Sequence, residues 1–369
     1  MPAHVPPNYK VAAVQTGSVY CDAPTWFDVE ATLEKAIGFI EEAASKGSRL
    51  VVFPECFLPG YPYFSQDLND RPGFRQMWGK FLWNSVEVPG PETDTLCVVA
   101  RRTNTYIAMG LNERDRKYPG RMYNSVLYVG PEEGILGTHR KICNTVQERF
   151  FHTPGDGGEN LRTVFPTQIG RLGGSICGEH TQFGLLYYWI MQGIDVHCSL
   201  WPGDKGLESH IDVNTRAMAF AGHCYAVLSS AYMSENDWPK NFYTNTQFNP
   251  KTGFRGGSGI VNPRGEYIAG PVYDKEEIVY ADIDLAYNDY GRAATNLTGN
   301  YSRWDIISLN VRQEKYEPII PMKTLNQRTG DESREIKDLK ERIKELEEQV
   351  AALSAEEVKT PGTRGKSKR

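Results

Sequence analysis

Residues Gly170–Gln182, GRLGGSICGEHTQ, read as a short strand that stops at Cys177, followed by a turn and the apolar run Phe183–Ile190. A cysteine at a strand-to-helix corner can face a pocket, where backbone N–H groups and the N-terminus of the next helix favour a neighbouring negative charge. The alternative is an inert cysteine that ends a core strand, because free cysteine is among the most buried residue types. Other parts of the sequence help to decide between a reactive and an inert Cys177.

Short apolar runs alternate with helical periodicity on both sides of this stretch. Arg49–Phe53 is nearly all apolar, which is typical of a strand in a sheet buried on both faces. We predict further strands at 10–15, 106–110, 123–128, 134–138, 195–200, 224–230, 257–261, 267–269 and 278–283, and helices at 29–44, 93–102, 183–191 and 210–221. This order of elements predicts one layered α/β domain over residues 8–290.

The composition fits a soluble globular protein. The 369 residues are 40% hydrophobic and 24% charged, and the net charge of −5 gives no reason to expect a nucleic-acid or anionic-membrane partner. The seven cysteines include no CxxC pair, which favours reduced thiols over a disulfide framework or a zinc site. We expect no metal and no organic cofactor. The N-terminus MPAHVPPNYK lacks the layout of a signal peptide, so we expect a cytoplasmic protein that does not contact a membrane.

The C-terminal segment has a different composition, rich in Glu, Lys, Arg and Leu from Asp331 onward. Apolar residues recur there at alternating spacings of three and four: Ile336, Leu339, Ile343, Leu346, Val350 and Leu353. In a heptad repeat, this spacing places β-branched residues at every a position and Leu at every d position. That pattern favours a parallel two-stranded coiled coil, in which the pairs Glu335–Lys340 and Arg342–Glu347 between chains are attractive. We predict this helix over 331–357 and a disordered basic tail over 358–369. The alternative is an amphipathic helix that docks on its own subunit.

Three polar residues lie where predicted strands stop: Glu55, Lys141 and Cys177. Strand ends converge in layered α/β folds, so these side chains can share a pocket. A neighbouring ammonium favours the thiolate, a carboxylate can take the thiol proton and later activate water, and the ammonium with the backbone N–H of Gly178 can stabilise developing negative charge. Together they form the set that an acyl-transfer site needs.

Simpler explanations exist for each of these residues. A Glu after a strand is usually a cap or a salt bridge, and a Lys in the run His139-Arg140-Lys141 is usually solvated. A different arrangement uses His180, three residues after Cys177, as the base of a Cys–His pair. That pair requires the turn after Cys177 to be helical already.

The blocks around these residues resemble the three signature blocks of the nitrilase superfamily, in the same order of Glu, Lys and Cys. The blocks are Phe53-Pro54-Glu55, His139-Arg140-Lys141 and Cys177-Gly178-Glu179. The resemblance continues through Thr145 and Glu148-Arg149, through Ser199-Leu200-Trp201-Pro202-Gly203, through Arg216-Ala217-Met218-Ala219, and through Gly256-Gly257-Ser258 with Asn262-Pro263-Arg264-Gly265. It covers about residues 8 to 290.

The resemblance implies a four-layer α-β-β-α sandwich that dimerises through its helices and in many nitrilases extends into spiral filaments. Residues 291–330 would then be a C-terminal extension at the subunit interface. The resemblance also implies that Cys177 is the nucleophile, Glu55 the general base, Lys141 the stabiliser of the tetrahedral intermediate, and Glu148 a second glutamate that positions the substrate and the base.

The resemblance further implies hydrolysis of a small nitrile to a carboxylic acid through a covalent thioimidate and thioester. The alternatives are an amidase or carbamoylase of the same superfamily, or a non-catalytic assembly scaffold. We expect the substrate to contact Gly178, His180, Trp201 and Tyr61. Two departures bear on the substrate: Gly178 and His180 replace the Trp and Asn that nitrilases usually carry there, and Asn144 replaces a Pro.

Overall fold

The computed structural model describes residues 6–22, 25–66, 71–239, 253–313 and 336–350. It has two compact units, residues 1–315 and 316–369. The strands of the first unit are β1 Asn8–Gln15, β2 Ser48–Val52, β3 Tyr106–Arg114, β4 Met122–Gly130, β5 Gly134–Arg140, β6 Val164–Thr167, β7 Gly170–Ile176, β8 Val196–Trp201, β9 Tyr225–Ser230, β10 Tyr232–Met233, β11 Phe254–Val261, β12 Tyr267–Tyr273 and β13 Glu277–Asp284. Its helices are α1 Val29–Ser45, α2 Arg71–Asn84, α3 Pro91–Thr103, α4 Phe183–Met191, α5 Glu208–Gly222 and α6 Ala286–Thr295.

The strands form two mixed sheets. The first sheet has six strands in the order β13-β1-β2-β3-β4-β5, with β1, β2 and β3 parallel to one another. The second has seven strands in the order β10-β11-β9-β8-β7-β6, with β12 paired to β11, and β7, β8 and β9 are parallel. The predicted hairpin of β4 and β5 is antiparallel, as expected.

The core lies on both faces of the first sheet, because successive side chains of a strand point to opposite faces. On β1, Val11 and Ala13 join the apolar cluster shared with the second sheet, whereas Ala12 and Val14 pack in the cluster formed with α1 and α3. Helices α4 and α5 carry Trp189, Ile190 and Met218 into a further cluster with β6. The layers are therefore helices, sheet, sheet and helices, and the predicted α/β sandwich is confirmed.

Two helices and two strands were not predicted from the sequence: α2, α6, β6 and β10. Helix α2 contains Pro72, Gly73 and Gly79, which have low intrinsic helix propensity. Its Met77 and Phe81 are 2% and 0% exposed in a cluster of aromatic side chains. Tertiary packing therefore stabilises this helix where local propensity does not.

The second unit contains a helix over residues 336–350, within the predicted range of 331–357. The apolar side chains of Ile336, Leu339, Ile343, Leu346 and Val350 are 46–62% exposed. Leu353, the tail 358–369 and residues 314–330 of the predicted extension lie outside the described residues. The coiled coil and the interface of residues 291–330 stay predictions. In the described part of the chain, no helix is both long and apolar enough to cross a membrane.

Candidate active site

Glu55 lies in a tight turn directly after the buried strand β2. The turn packs closely on β3, since a Cβ at Gly110 would lie 1.9 Å from the carbonyl oxygen of Pro54. Glu55 is 2% exposed, and the next residue, Cys56, has a positive φ of 51°. The local backbone therefore directs a carboxyl group into the protein interior, where an ionised group needs a charged partner.

Lys141 supplies that partner at the end of β5. Its backbone N–H donates to the carbonyl oxygen of Asn124 at 2.8 Å, and its carbonyl accepts from the N–H of Gly155 at 2.8 Å. The side chain is fully buried, and its Nζ donates to Glu55 Oε1 at 2.9 Å and to Glu148 Oε1 at 2.8 Å. One ammonium group therefore joins two carboxylates from distant parts of the sequence.

Glu148 lies in a short 3₁₀ turn, Val146–Phe150, seven residues after Lys141. Its Oε2 accepts from the backbone N–H of Thr145 at 2.9 Å, and its Oε1 accepts from the hydroxyl of Tyr61 at 3.3 Å as well as from the lysine. These donors hold both carboxylate oxygens. The predicted contact residue Tyr61 therefore lies beside the buried ion cluster.

The two carboxyl groups have pKa values shifted in opposite directions. Burial, opposed by Lys141 and reinforced by the charge of Glu148, raises the pKa of Glu55 from 4.5 to about 8. Burial also acts on Glu148, but Lys141 and the Thr145 N–H outweigh it and lower the pKa of this carboxyl. Burial alone would lower the pKa of Lys141, but the carboxylates raise it well above its usual value. These directions favour an ionised Glu148 paired with a charged Lys141, and a Glu55 that can exchange a proton.

The two carboxylate oxygens of Glu55 differ in their hydrogen-bond partners. Asn124 Nδ2 donates to Glu55 Oε1 at 2.6 Å, the same oxygen that the lysine contacts. Oε2 is buried and has no hydrogen-bond partner among the residues that the structure describes. We did not predict Asn124, although a polar residue within the apolar strand 123–128 was a visible signal. Glu55 therefore keeps one oxygen for a reacting proton.

Cys177 begins a 3₁₀ turn, Cys177–Thr181, directly after β7. Its φ is +49°, a left-handed conformation that is strained for a side chain with a Cβ, and it is 6% exposed. Burial and the charge of Glu55 raise the pKa of its thiol well above 9.0, while Lys141 and the N–H of Gly178 act in the opposite direction. The resting thiol is therefore protonated, and a base must take its proton before it can act as a nucleophile.

Glu179 fixes the cysteine block against the lysine block. Its carboxylate accepts from the N–H of Ile142 at 2.8 Å and from the N–H of Ile176 at 3.2 Å, the residues next to Lys141 and Cys177. His139 Nε2 lies 2.8 Å from the same carboxylate, with both side chains fully buried. This bridge was not predicted, because it joins backbone groups that no sequence motif reports.

His180 and Trp201 lie next to Cys177 in a buried polar network. His180 Nδ1 lies 2.8 Å from the carbonyl oxygen of Cys177, which can only accept, so this nitrogen donates. His180 Nε2 lies 3.0 Å from both His197 Nε2 and Ser199 Oγ. Trp201 Nε1 donates to Ser199 Oγ at 2.9 Å, and its ring stacks on His180 at 5.0 Å. Burial lowers the pKa of His180 to about 4. This geometry favours a neutral His180 that orients the backbone of Cys177 over a Cys–His pair.

Gly178 has little room for a side chain. A Cβ at this position would lie 2.8 Å from Thr145 Oγ1, closer than real contacts allow. Any larger residue therefore requires Thr145 to move. Contacts of the substrate with Gly178, His180, Trp201 and Tyr61 stay predictions.

The arrangement combines a buried thiol, a carboxyl group that can exchange a proton, and a fixed ammonium. Such a set is suited to acyl transfer, because a thiol can act as a nucleophile and an ammonium with a backbone N–H can stabilise developing negative charge. The family comparison agrees: the description Carbon-nitrogen hydrolase matches residues 10–290. The chain belongs to the carbon-nitrogen hydrolase family. It is therefore an enzyme of the superfamily that the sequence blocks indicated.

Similar proteins cover nearly the whole chain. Nitrilase 3 of Arabidopsis thaliana is 32% identical over 335 residues, with 88% of this chain and 92% of that protein covered. The bifunctional nitrilase/nitrile hydratase NIT4A of Lupinus angustifolius is 30% identical over 323 residues, with 85% and 88% covered. The crystal structure of Saccharomyces cerevisiae Nit3, a nitrilase-superfamily member, matches with a TM-score of 0.61 and 23% identity, covering 80% of this chain and 97% of that one.

Proposed function

We propose that this enzyme hydrolyses a nitrile to the carboxylic acid and ammonia through a covalent intermediate on Cys177. The observation that carries this proposal is the Lys141 ammonium, which bonds Glu55 at 2.9 Å and Glu148 at 2.8 Å in a buried cluster whose charges act on the Cys177 thiol. The names of the curated relatives, Nitrilase 3 and the bifunctional nitrilase/nitrile hydratase, support a nitrile as the substrate.

The first step forms a carbon–sulfur bond. Glu55 takes the thiol proton, and the Cys177 sulfur attacks the nitrile carbon. One π bond of the C≡N group breaks, and the nitrogen receives the proton from Glu55, which gives a thioimidate. The Lys141 ammonium and the Gly178 N–H stabilise the negative charge that develops during this transfer.

The second half of the cycle uses two water molecules. Glu55 takes a proton from the first water, whose oxygen adds to the thioimidate carbon, and passes that proton to the nitrogen. The proton of the added hydroxyl group then moves to the same nitrogen, the C–N bond breaks, ammonia leaves and a thioester remains. A second water, activated in the same way, adds to the thioester carbon. The C–S bond then breaks, the carboxylic acid leaves and the thiol regains its proton.

The expected result is ammonia release from nitriles by the native enzyme and none by Cys177→Ala. The substrates for this test are aliphatic, aryl and arylacetic nitriles with their matching amides, and Cys56→Ala is the control because Cys56 is a second buried thiol of the same region. Loss of activity in Cys177→Ala alone supports the nucleophile. Ammonia from amides only would contradict the proposal and indicate an amidase or carbamoylase. No ammonia from either class would contradict the proposal as well.

We further propose that the enzyme is a cytoplasmic homo-oligomer, a dimer or a larger spiral filament, and that the helix over 336–350 contributes to its assembly by pairing with a second copy. The exposed apolar side chains of Ile336, Leu339, Ile343, Leu346 and Val350 support this, since a parallel pair of helices would bury them. Deletion from Asp331 onward is expected to reduce the oligomer mass in light scattering and to leave the activity per subunit unchanged. An unchanged mass would contradict the assembly role of the helix.

A further inference from the structure

Asp204 lies at the same sheet end as Cys177. Strands β7 and β8 are parallel neighbours, and Ile176, directly before the nucleophile, is in register with Leu200. The carboxyl ends of parallel strands meet at one edge of a sheet, so the loop that follows Trp201 lies at the edge where Cys177 lies. Asp204 is the third residue of this loop.

The loop has a fixed backbone. The carbonyl oxygen of Gly203 accepts from the N–H of Arg255 at 3.0 Å, and the N–H of Lys205 donates to Gly253. Asp204 itself forms an isolated bridge with Phe254. Gly203 has a φ of +84°, and a Cβ there would lie 1.8 Å from the carbonyl oxygen of Ala231. These contacts hold Asp204 on a rigid part of the fold.

One oxygen of Asp204 lacks a partner among the described residues, and the charge of Glu148 acts on this carboxyl group. Its Oδ1 is buried and has no hydrogen-bond partner among the described residues. Burial and the charge of Glu148 raise its pKa from 3.8 to about 7. The charges of Asp204, Glu148 and Cys177 all act on Tyr61, whose hydroxyl donates to Glu148. A buried acceptor without a donor is costly, so a ligand that supplies the donor gains binding energy there.

Aromatic rings connect this carboxyl group to the candidate active site. The rings of Tyr61 and Tyr63 are 4.9 Å apart, and those of Tyr63 and Phe254 are 4.1 Å apart. Phe254 is the bridge partner of Asp204. Tyr61, which bonds Glu148, is therefore linked to the bridge partner of Asp204 through the packed ring of Tyr63. Apolar surroundings with a few placed polar groups suit recognition of a small molecule.

We propose that Asp204 is a substrate-recognition residue that binds an ammonium or hydroxyl group of the nitrile. The inference rests on the proposed function, because it assigns the substrate class of that same site. Lys141 bonds Glu55 and Glu148, and the charge of Glu148 also acts on Asp204. An ionised Asp204 therefore adds a negative charge that favours a cationic donor. A nitrile that carries a carboxylate is disfavoured for the same reason.

The experiment compares matched nitriles with the native enzyme, Asp204→Asn and the control Asp289→Asn. Asp289 is an exposed carboxylate on α6, with 65% of its side chain accessible. Each nitrile that carries a methyl group, such as butyronitrile, is paired with the amine of equal heavy-atom count, such as 3-aminopropionitrile. The amino group is placed at successive carbon positions of a nitrile that the native enzyme hydrolyses. For each pair, kcat/KM is measured.

The native enzyme and Asp289→Asn are expected to prefer the amine at one position, and Asp204→Asn is expected to lower that preference by about 10- to 100-fold, the effect of one hydrogen bond to a charged group. The rate on the methyl partner stays within a few fold. Hydrolysis without any preference, or equal losses on both partners, would overturn the inference while the proposed function stands. Absence of nitrile hydrolysis would overturn both.

Discussion

Replacement of Lys141 with methionine is expected to abolish nitrile turnover and to destabilise the fold. The side chain is fully buried, and its Nζ donates to both Glu55 and Glu148. Methionine leaves two buried carboxyl groups without a counter-ion, a change that typically costs about 3–5 kcal/mol of the free energy of unfolding. It also removes the cation that we propose stabilises developing negative charge, so kcat is expected to fall by about 10²–10³-fold or more.

Loss of stability and loss of catalysis can be separated by a second substitution. In Lys141→Met with Glu148→Gln, one of the buried charges is removed, so we expect part of the unfolding free energy to return while activity stays absent. Lys35→Met is the control, because the Lys35–Glu276 pair is partly exposed and such pairs contribute about 1 kcal/mol or less. Chemical denaturation and ammonia release measure the two properties. Recovery of activity in the double variant would contradict a catalytic role for Lys141.

The sequence predicts which strands end at the candidate site residues, but it does not predict the contacts between their side chains. Each of Glu55, Lys141 and Cys177 lies where a predicted strand stops, and the end of the strand can be read from a few neighbouring residues. The bond from Asn124 to Glu55 and the bridge from Glu179 to Ile142 depend on how separate strands are brought together, which no local pattern encodes. The missing information is therefore the spatial arrangement of the strands.

The same argument explains why Asp204 was not predicted. In the sequence it is one acidic residue in a polar loop, for which a solvated side chain is the ordinary expectation. Its role depends on the pairing of Ile176 with Leu200 and on the bridge to Phe254, which hold the loop at the sheet end where Cys177 lies. His180 is a second example, since spacing alone could not decide whether its ring faces the thiol or the backbone carbonyl of Cys177.

The buried cluster divides two tasks between two glutamates. Glu148 accepts from Lys141, Tyr61 and the Thr145 N–H, and its pKa is lowered, so it stays ionised and keeps the lysine charged. Glu55 shares the lysine but has a free Oε2 and a raised pKa. Two carboxyl groups with pKa values pushed apart can serve as a fixed charge and an acid–base group at once.

The activity is therefore expected to depend on pH through Glu55, and Glu55→Gln is expected to remove that dependence. With a pKa of about 8, Glu55 is protonated at lower pH and cannot take the thiol proton, so kcat/KM of the native enzyme rises as the pH increases through about 8. Each unit below that value lowers the ionised fraction about tenfold. Glutamine cannot accept the proton at any pH, so kcat/KM falls by about 10²–10⁴-fold and the residual rate no longer rises near pH 8.

A matched control separates this effect from the loss of any buried carboxylate. Glu113 is 3% exposed on β3 and is paired with Arg140 and Ser125. Glu113→Gln is expected to lower stability and to keep the rise of kcat/KM with pH, since Glu55 is intact. A native profile that is flat across this pH range, or a Glu55→Gln variant that keeps the rise, would assign the proton transfer to another group.

The midpoint of the pH profile belongs to Glu55 together with Lys141 and Glu148, because these groups interact. Glu148→Gln is expected to shift this midpoint downward, because it removes the charge that opposes ionisation of Glu55.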